Sequence, residues 1–130
     1  MPYTINHVHI RSMDPHSSAA WYEQHFEAKI VSEREVMPGT ITIGMEVGGS
    51  CRLNISSKPA GSSDERATAE LNRLGLEHFG FDVENLKKEL ERLGKANIRI
   101  VLPFTDVGRG TCLAYIEGPD DVLIELVEHK

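Results

Sequence analysis

Residues 5–11 read INHVHIR and residues 76–82 read LEHFGFD, an offset of 71 that carries His7 onto His78. Side chains on a strand point alternately to opposite faces. Read as a strand, the first stretch sets His7, His9 and Arg11 on one face and Val8 and Ile10 on the other. The same offset continues without a gap: Val36 falls on Val107, Gly39-Thr40 on Gly110-Thr111, and Glu46 on Glu117. Conservative matches keep the register. Ile5, Val8 and Ile10 meet Leu76, Phe79 and Phe81; Ala19 and Tyr22 meet Leu90 and Leu93; Asp14 meets Asn85, both favoured helix N-cap residues. Identities, caps and hydrophobic periodicity in one register make the chain two copies of one module.

Each copy reads as strand, helix and three strands. In the first, Asp14 caps a helix that starts at Pro15 and sets Ala19, Tyr22 and Phe26 at helical spacing. The stretches KIVSEREV, GTITIGMEV and CRLNISS follow as strands, broken at Pro38-Gly39 and Gly48-Gly49. In the second, GLEHFGFDV is the opening strand. NLKKELERLG is a helix with Leu86, Leu90 and Leu93 on one face and Gly94 ending it. NIRIVLPF, GTCLAYIE and DVLIELVE complete the set. The expected architecture is α+β: two pseudo-symmetric βαβββ modules, eight strands in a partly open, cup-like sheet. One domain spans 1–130, with modules at 1–57 and 74–130 and a polar linker at 58–73 whose tail is compatible with a short helix.

The formal charge of −6 argues against a nucleic-acid or anionic-membrane surface, both of which need clustered Lys and Arg. No apolar run approaches a membrane span, and the start MPYTINHVHI lacks the regions of a signal peptide, so the cytoplasm is the expected compartment. Cys51 and Cys112 are isolated and read as small buried hydrophobes.

The repeat also sorts the polar residues. His7 recurs at His78, whereas His9 falls on Gly80, so the repeated rings are the candidates for one shared task and His9 for lining. Asn54 falls on Glu125, and 47 residues separate histidine from partner in both copies. Glu125 shares its strand face with Leu123 and Val127, where an unpaired charge is costly. It needs a metal or a cation. Two imidazoles and one carboxylate compose a facial triad with open positions, to which Asn54 adds a neutral oxygen. For either histidine alone, a hydrogen-bonded structural role is the alternative. Glu46 and Glu117 are expected to face solvent or neighbouring strands, and Tyr115 and His9 either line the site or serve the packing.

The stretches INHVHIRSMDPHSSAAWYEQHFEAKIV, GLEHFGFDVENLKKELERLG and GTCLAYIEGPDDVLIELVE resemble the vicinal oxygen chelate superfamily, which includes glyoxalase I, epimerases, extradiol dioxygenases, and fosfomycin and bleomycin resistance proteins. The resemblance implies a cup holding one divalent metal (Ni, Mn, Fe, Co or Zn) on His7, His78 and Glu125. A fourth ligand in the isomerases stands where this chain has Asn54, which is shorter than the Glu or Gln of those families and leaves room for a water. Arg11 matches an arginine that contacts a glutathione carboxylate, and His9 lies beside it. Glu125 matches a glutamate that is both ligand and base.

The implied activity is that of a metal-dependent isomerase or lyase of the glyoxalase I type, stabilising an enediolate-like intermediate of a small molecule such as a thiol conjugate. Alternatives from the same superfamily are an epimerase, a fosfomycin-type thiol transferase, an Fe(II) dioxygenase and a non-catalytic binding protein like those for bleomycin. The resemblance also implies a homodimer.

Overall fold

The computed structural model of the chain describes residues 2–63 and 68–130. It divides into two compact units, Met1–Glu65 and Arg66–Lys130. The first contains β1 (His7–Ser12), α1 (Pro15–Phe26), β2 (Lys29–Met37), β3 (Thr40–Glu46) and β4 (Arg52–Ser57). The second contains β5 (Phe79–Asp82), α2 (Leu86–Lys95), β6 (Ile100–Gly108), β7 (Thr111–Gly118) and β8 (Val122–His129), with a short 3-10 turn at Pro119–Asp121. The α+β architecture of two βαβββ modules is present as eight strands in two four-stranded sheets, ordered β1-β4-β3-β2 and β5-β8-β7-β6.

The internal repeat holds in three dimensions. Helices α1 and α2 begin 71 residues apart, as do β2 and β6, and β3 and β7. In each unit the first strand pairs in parallel with the last, at a separation of 45 residues: His7 opposite Arg52, and Phe79 opposite Ile124. The remaining pairings are antiparallel.

In the first unit one sheet face is apolar and covered by α1. Ile10 of β1, Ile43 and Met45 of β3, and Leu53 and Ile55 of β4 are buried there, with Ala19 and Tyr22 of the helix. Side chains of this size stabilise by roughly 1.5–3 kcal/mol each when fully buried. Asp14 caps the helix, its carboxylate accepting the Ser17 N–H at 3.1 Å, and Pro15 occupies the first turn. The second unit repeats the device. Cys112, Ala114, Ile116, Ile124 and Leu126 are buried, together with Leu86 and Leu93 of α2. Asn85 accepts the Lys88 N–H at 3.1 Å. Glu128, on the helix face of β8, is buried and accepts the Leu86 N–H at 2.8 Å, so its charge is spent on an otherwise orphaned donor at the helix start.

Several boundaries differ from the sequence reading. β1 opens at His7 rather than Ile5, and Ile5 and Leu76 are exposed. His78 stands immediately before the short strand β5. Gly94 does not end α2, which continues to Lys95; the left-handed residue beyond the helix is Asn97, with φ 61°, and asparagine is the usual second choice to glycine there. Residues 68–73 form turns and irregular backbone rather than a helix, and the central part of the linker, 64–67, lies outside the described residues. Cys112 is buried as expected, whereas Cys51 is only half-buried; both are free thiols. No helix among the described residues is long and apolar enough to cross a membrane.

Replacing Leu93, which is fully buried, by Ala is expected to cost about 2–5 kcal/mol in denaturant unfolding. Asp14→Ala and Asn85→Ala should each cost about 1 kcal/mol. A cap variant as stable as the parent would show that the helix starts are held by packing alone.

Candidate functional site

In the first unit, the sheet face away from α1 is polar. The register places His9, Asn54, Gly44 and Ser32 in one row across the four strands, and Arg11, Ser56, Thr42 and Arg34 in the next. His7 lies two residues before His9 on the same face. His7, His9, Arg11, Arg34, Asn54 and Ser56 are among the residues lining a pocket of about 260 Å³. His7, His9 and Arg11 therefore share a face, as strand alternation requires, and they share it with Asn54.

His7 Nδ1 donates to the side-chain oxygen of Asn6 at 2.9 Å, which leaves Nε2 as the ring's free lone pair. His9 Nε2 meets the Ser56 hydroxyl at 2.8 Å, and Ser56 in turn meets Thr42 Oγ1 at 2.7 Å. Partial burial, followed by the charges of Arg11 and His7, holds the His9 ring below the usual histidine range. Arg11 donates to the Ser57 carbonyl at 2.8 Å, fixing it at the end of the strand pair.

In the second unit the corresponding row reads Gly80, Glu125, Tyr115 and Leu102. Tyr115 donates its hydroxyl to Glu125 Oε2 at 2.8 Å, and the other carboxylate oxygen is 3.8 Å from His78 Nε2, beyond hydrogen-bond reach. The His78 ring also stands edge-on to Tyr115, with centroids 5.0 Å apart. His78 Nδ1 donates to Glu77 Oε1 at 2.7 Å. A carboxylate can only accept, so a proton sits on Nδ1, and in the neutral ring Nε2 carries the lone pair. The backbone N–H of Asn72 also donates to Glu77, and that bond, with the one from His78, holds the Glu77 carboxyl below its ordinary value. Gly80 leaves space here: a Cβ at this position would stand 3.4 Å from both Cβ and Oε1 of Glu125.

The four sequence-derived ligand candidates thus divide two and two, His7 and Asn54 in the first unit and His78 and Glu125 in the second, with His9 and Arg11 also in the first. Neither unit by itself gathers three His, Cys, Asp or Glu side chains in reach of one metal ion among the described residues. Their chemistry suits such an ion all the same. Both imidazoles have Nδ1 engaged by the preceding side chain, an arrangement that orients metal-binding histidines and fixes their tautomer. Asn6 and Glu77 are related by the repeat offset of 71, so this outer support is duplicated with the rings it holds.

Glu46 and Glu117 face arginines, Arg52 at 3.8 Å and Arg99 at 2.9 Å, and take no part. The sequence reading left the duty of Tyr115 open and did not single out Asn6, Glu77, Arg34, Thr42 or Ser56. Tyr115 was accessible to it through the β7–β8 hairpin register, which sets it directly opposite Glu125.

Residues 4–126 match the family Glyoxalase/Bleomycin resistance protein/Dioxygenase superfamily. No curated protein sequence is significantly similar to the chain. Among solved structures, a glyoxylase/bleomycin resistance protein/dioxygenase domain from Frankia sp. EAN1pec superposes with a TM-score of 0.77 at 21% identity, covering 100% of both chains. The trypanothione-dependent glyoxalase I of Leishmania major gives 0.73 at 20% identity, over 97% of this chain and 86% of that one. The genomically encoded fosfomycin resistance protein FosX of Listeria monocytogenes gives 0.76 at 16% identity, over 100% and 96%. These likenesses are of fold.

Burial, and then the carboxylate of Glu125, push the Tyr115 hydroxyl up to about 12, so it stays protonated and donates throughout the physiological range. In chelator-treated protein, the absorbance transition missing from Tyr115→Phe should centre at about 12 and move towards ~10 in Glu125→Gln. An unmoved midpoint in Glu125→Gln would remove the carboxylate as a cause.

Proposed function

Because the chain belongs to the Glyoxalase/Bleomycin resistance protein/Dioxygenase superfamily, we propose that it is a divalent-metal-dependent isomerase or lyase of the glyoxalase I type. It acts on a small dicarbonyl or hydroxy-carbonyl conjugate. In this reading His7, His78 and Glu125 hold one divalent transition metal ion (Ni, Mn, Fe, Co or Zn), with Asn54 as a fourth, neutral oxygen donor. The protein works as a homodimer in the cytoplasm.

The observation that carries the reading is the setting of Glu125. It is a half-buried carboxylate on an otherwise apolar strand face, held at one oxygen by Tyr115 and 3.8 Å from His78 Nε2 at the other. No Lys or Arg pairs with it among the described residues, which is the environment a cation would complete.

The metal would supply Lewis acidity towards two neighbouring substrate oxygens. Glu125 moves the proton. Oε1 takes it from the carbon beside the polarised carbonyl and returns it to the adjacent carbon, while Tyr115 keeps Oε2 occupied. His9 and Arg11 bind the non-reacting part of the substrate, with Arg11 facing its negative end. Asn6 and Glu77 hold the two imidazoles with Nε2 unprotonated.

Protein purified without chelator or affinity metal is expected to carry close to one divalent ion per chain by elemental analysis, and His78→Ala and Glu125→Ala to lose it. Glu77→Gln should weaken metal affinity about 10–100-fold, the usual cost of removing an outer partner of a histidine ligand. Incubated in D₂O with a hemithioacetal of a 2-oxoaldehyde, the loaded protein should yield the hydroxy-acyl thioester with deuterium at the new C–H. Metal binding without this exchange would turn the assignment to O₂ uptake or thiol transfer. Failure to bind metal after reconstitution would end the enzyme reading and leave a small-molecule binding protein.

A further inference from the structure

The polar face of the first unit carries more positive charge than the proposed reaction needs. None of the ten residues lining its pocket is acidic, although the chain bears a formal charge of −6. Two of them, Arg11 and Arg34, stand at opposite ends of one row, with Ser56 and Thr42 between them. Three strand spacings separate the two arginines, about 14 Å from backbone to backbone, and two hydrogen-bonded hydroxyls form the floor between them.

Arg34 makes no hydrogen bond or ion pair among the described residues. Its neighbours Glu33 and Glu35 are both engaged elsewhere, Glu33 with His16 and Glu35 with the Gly39 N–H. The same row in the second unit is Asp82, Val127, Leu113 and Thr105. The paired strands therefore do not require arginines and hydroxyls at these places; only one of the two copies has them.

We propose that Arg11, Arg34 and Thr42, with buried Ser56 holding the Thr42 hydroxyl in place, form an anion subsite that takes a doubly charged tetrahedral oxyanion, a phosphate monoester. A single arginine can satisfy a carboxylate bidentately. A second guanidinium and the Thr42 hydroxyl add donors that a carboxylate cannot fill, whereas the three terminal oxygens of a phosphate monoester can. Val36 and Met37, both exposed on the pocket wall, offer apolar contact to the organic part next to the charged group. Arg11 is four residues from His7 along β1, about 13 Å of strand. The ligand is accordingly an elongated molecule, charged at one end and placed against His7 and Asn54 at the other. Identifying it as the substrate rests on the proposed metal chemistry, while the anion subsite itself does not.

Isothermal titration calorimetry of the full chain with inorganic phosphate, and separately with acetate, tests the subsite without the metal. Each titration is run on protein as purified and after chelator treatment. Phosphate should bind more tightly than acetate in both preparations, and added salt should weaken it. Arg34→Gln should reduce phosphate affinity about tenfold to a hundredfold, as expected for a lost charge-assisted contact. Arg34→Lys should recover part of the loss, and Thr42→Val should give a smaller decrease. Arg99→Gln, which alters an exposed arginine of the second unit paired with Glu117, should bind phosphate as the parent does. Acetate binding as tightly as phosphate, no phosphate binding at all, or equal losses in Arg34→Gln and Arg99→Gln would each overturn the proposal. Phosphate binding that survives in His78→Ala, a variant expected to lose the metal, separates the two ideas: the subsite then stands even if the metal reading falls.

Discussion

Parallel pairing of β1 with β4, and of β5 with β8, brings residues 45 positions apart in the chain into one hydrogen-bonded ladder. The candidate ligand positions follow from these two ladders. The ladders set His9 beside Asn54 and Gly80 beside Glu125; His7 lies one pleat from His9 on the same face, and His78, just before β5, stands 3.8 Å from Glu125. A parallel pair needs a crossover, and in both units the crossover contains a helix that seals the opposite face. The polar face stays clear for chemistry because the helix has a covered apolar face of its own to lie against.

β8 shows how closely the two faces are kept apart. Glu125 and Glu128 are three residues apart, so they point to opposite sides of the sheet. Glu128 faces α2 and accepts the first helical N–H, a structural use of a buried charge. Glu125 faces the other way, onto Tyr115 and His78. A single strand thus holds two carboxylates whose environments give them unrelated duties.

Much of this was legible in the sequence because a repeat doubles every signal. The caps Asp14 and Asn85, the helix-face leucines Leu86 and Leu93, and the alternation that groups His7, His9 and Arg11 depend only on local periodicity. The partners of the side chains were harder to read. Tyr115 reaches Glu125, and Arg34 joins the row of Arg11, only because antiparallel neighbours are in a given register, and bulges in β2 and β6 shift that register locally. Asn6 and Glu77 were hidden for another reason. Each adjoins its histidine in sequence, where strand alternation would turn it away, yet neither lies within a described strand, and the irregular backbone lets the side chain fold back.

His9 and Gly80 occupy the same position in the two copies. The ring in one copy contacts Ser56, and the missing side chain in the other leaves room beside Glu125. A chain that carries its module once must use each position for one purpose. Doubling the module frees each copy to use a shared position differently, a hydrogen-bonded ring in the first unit and a bare backbone beside a carboxylate in the second.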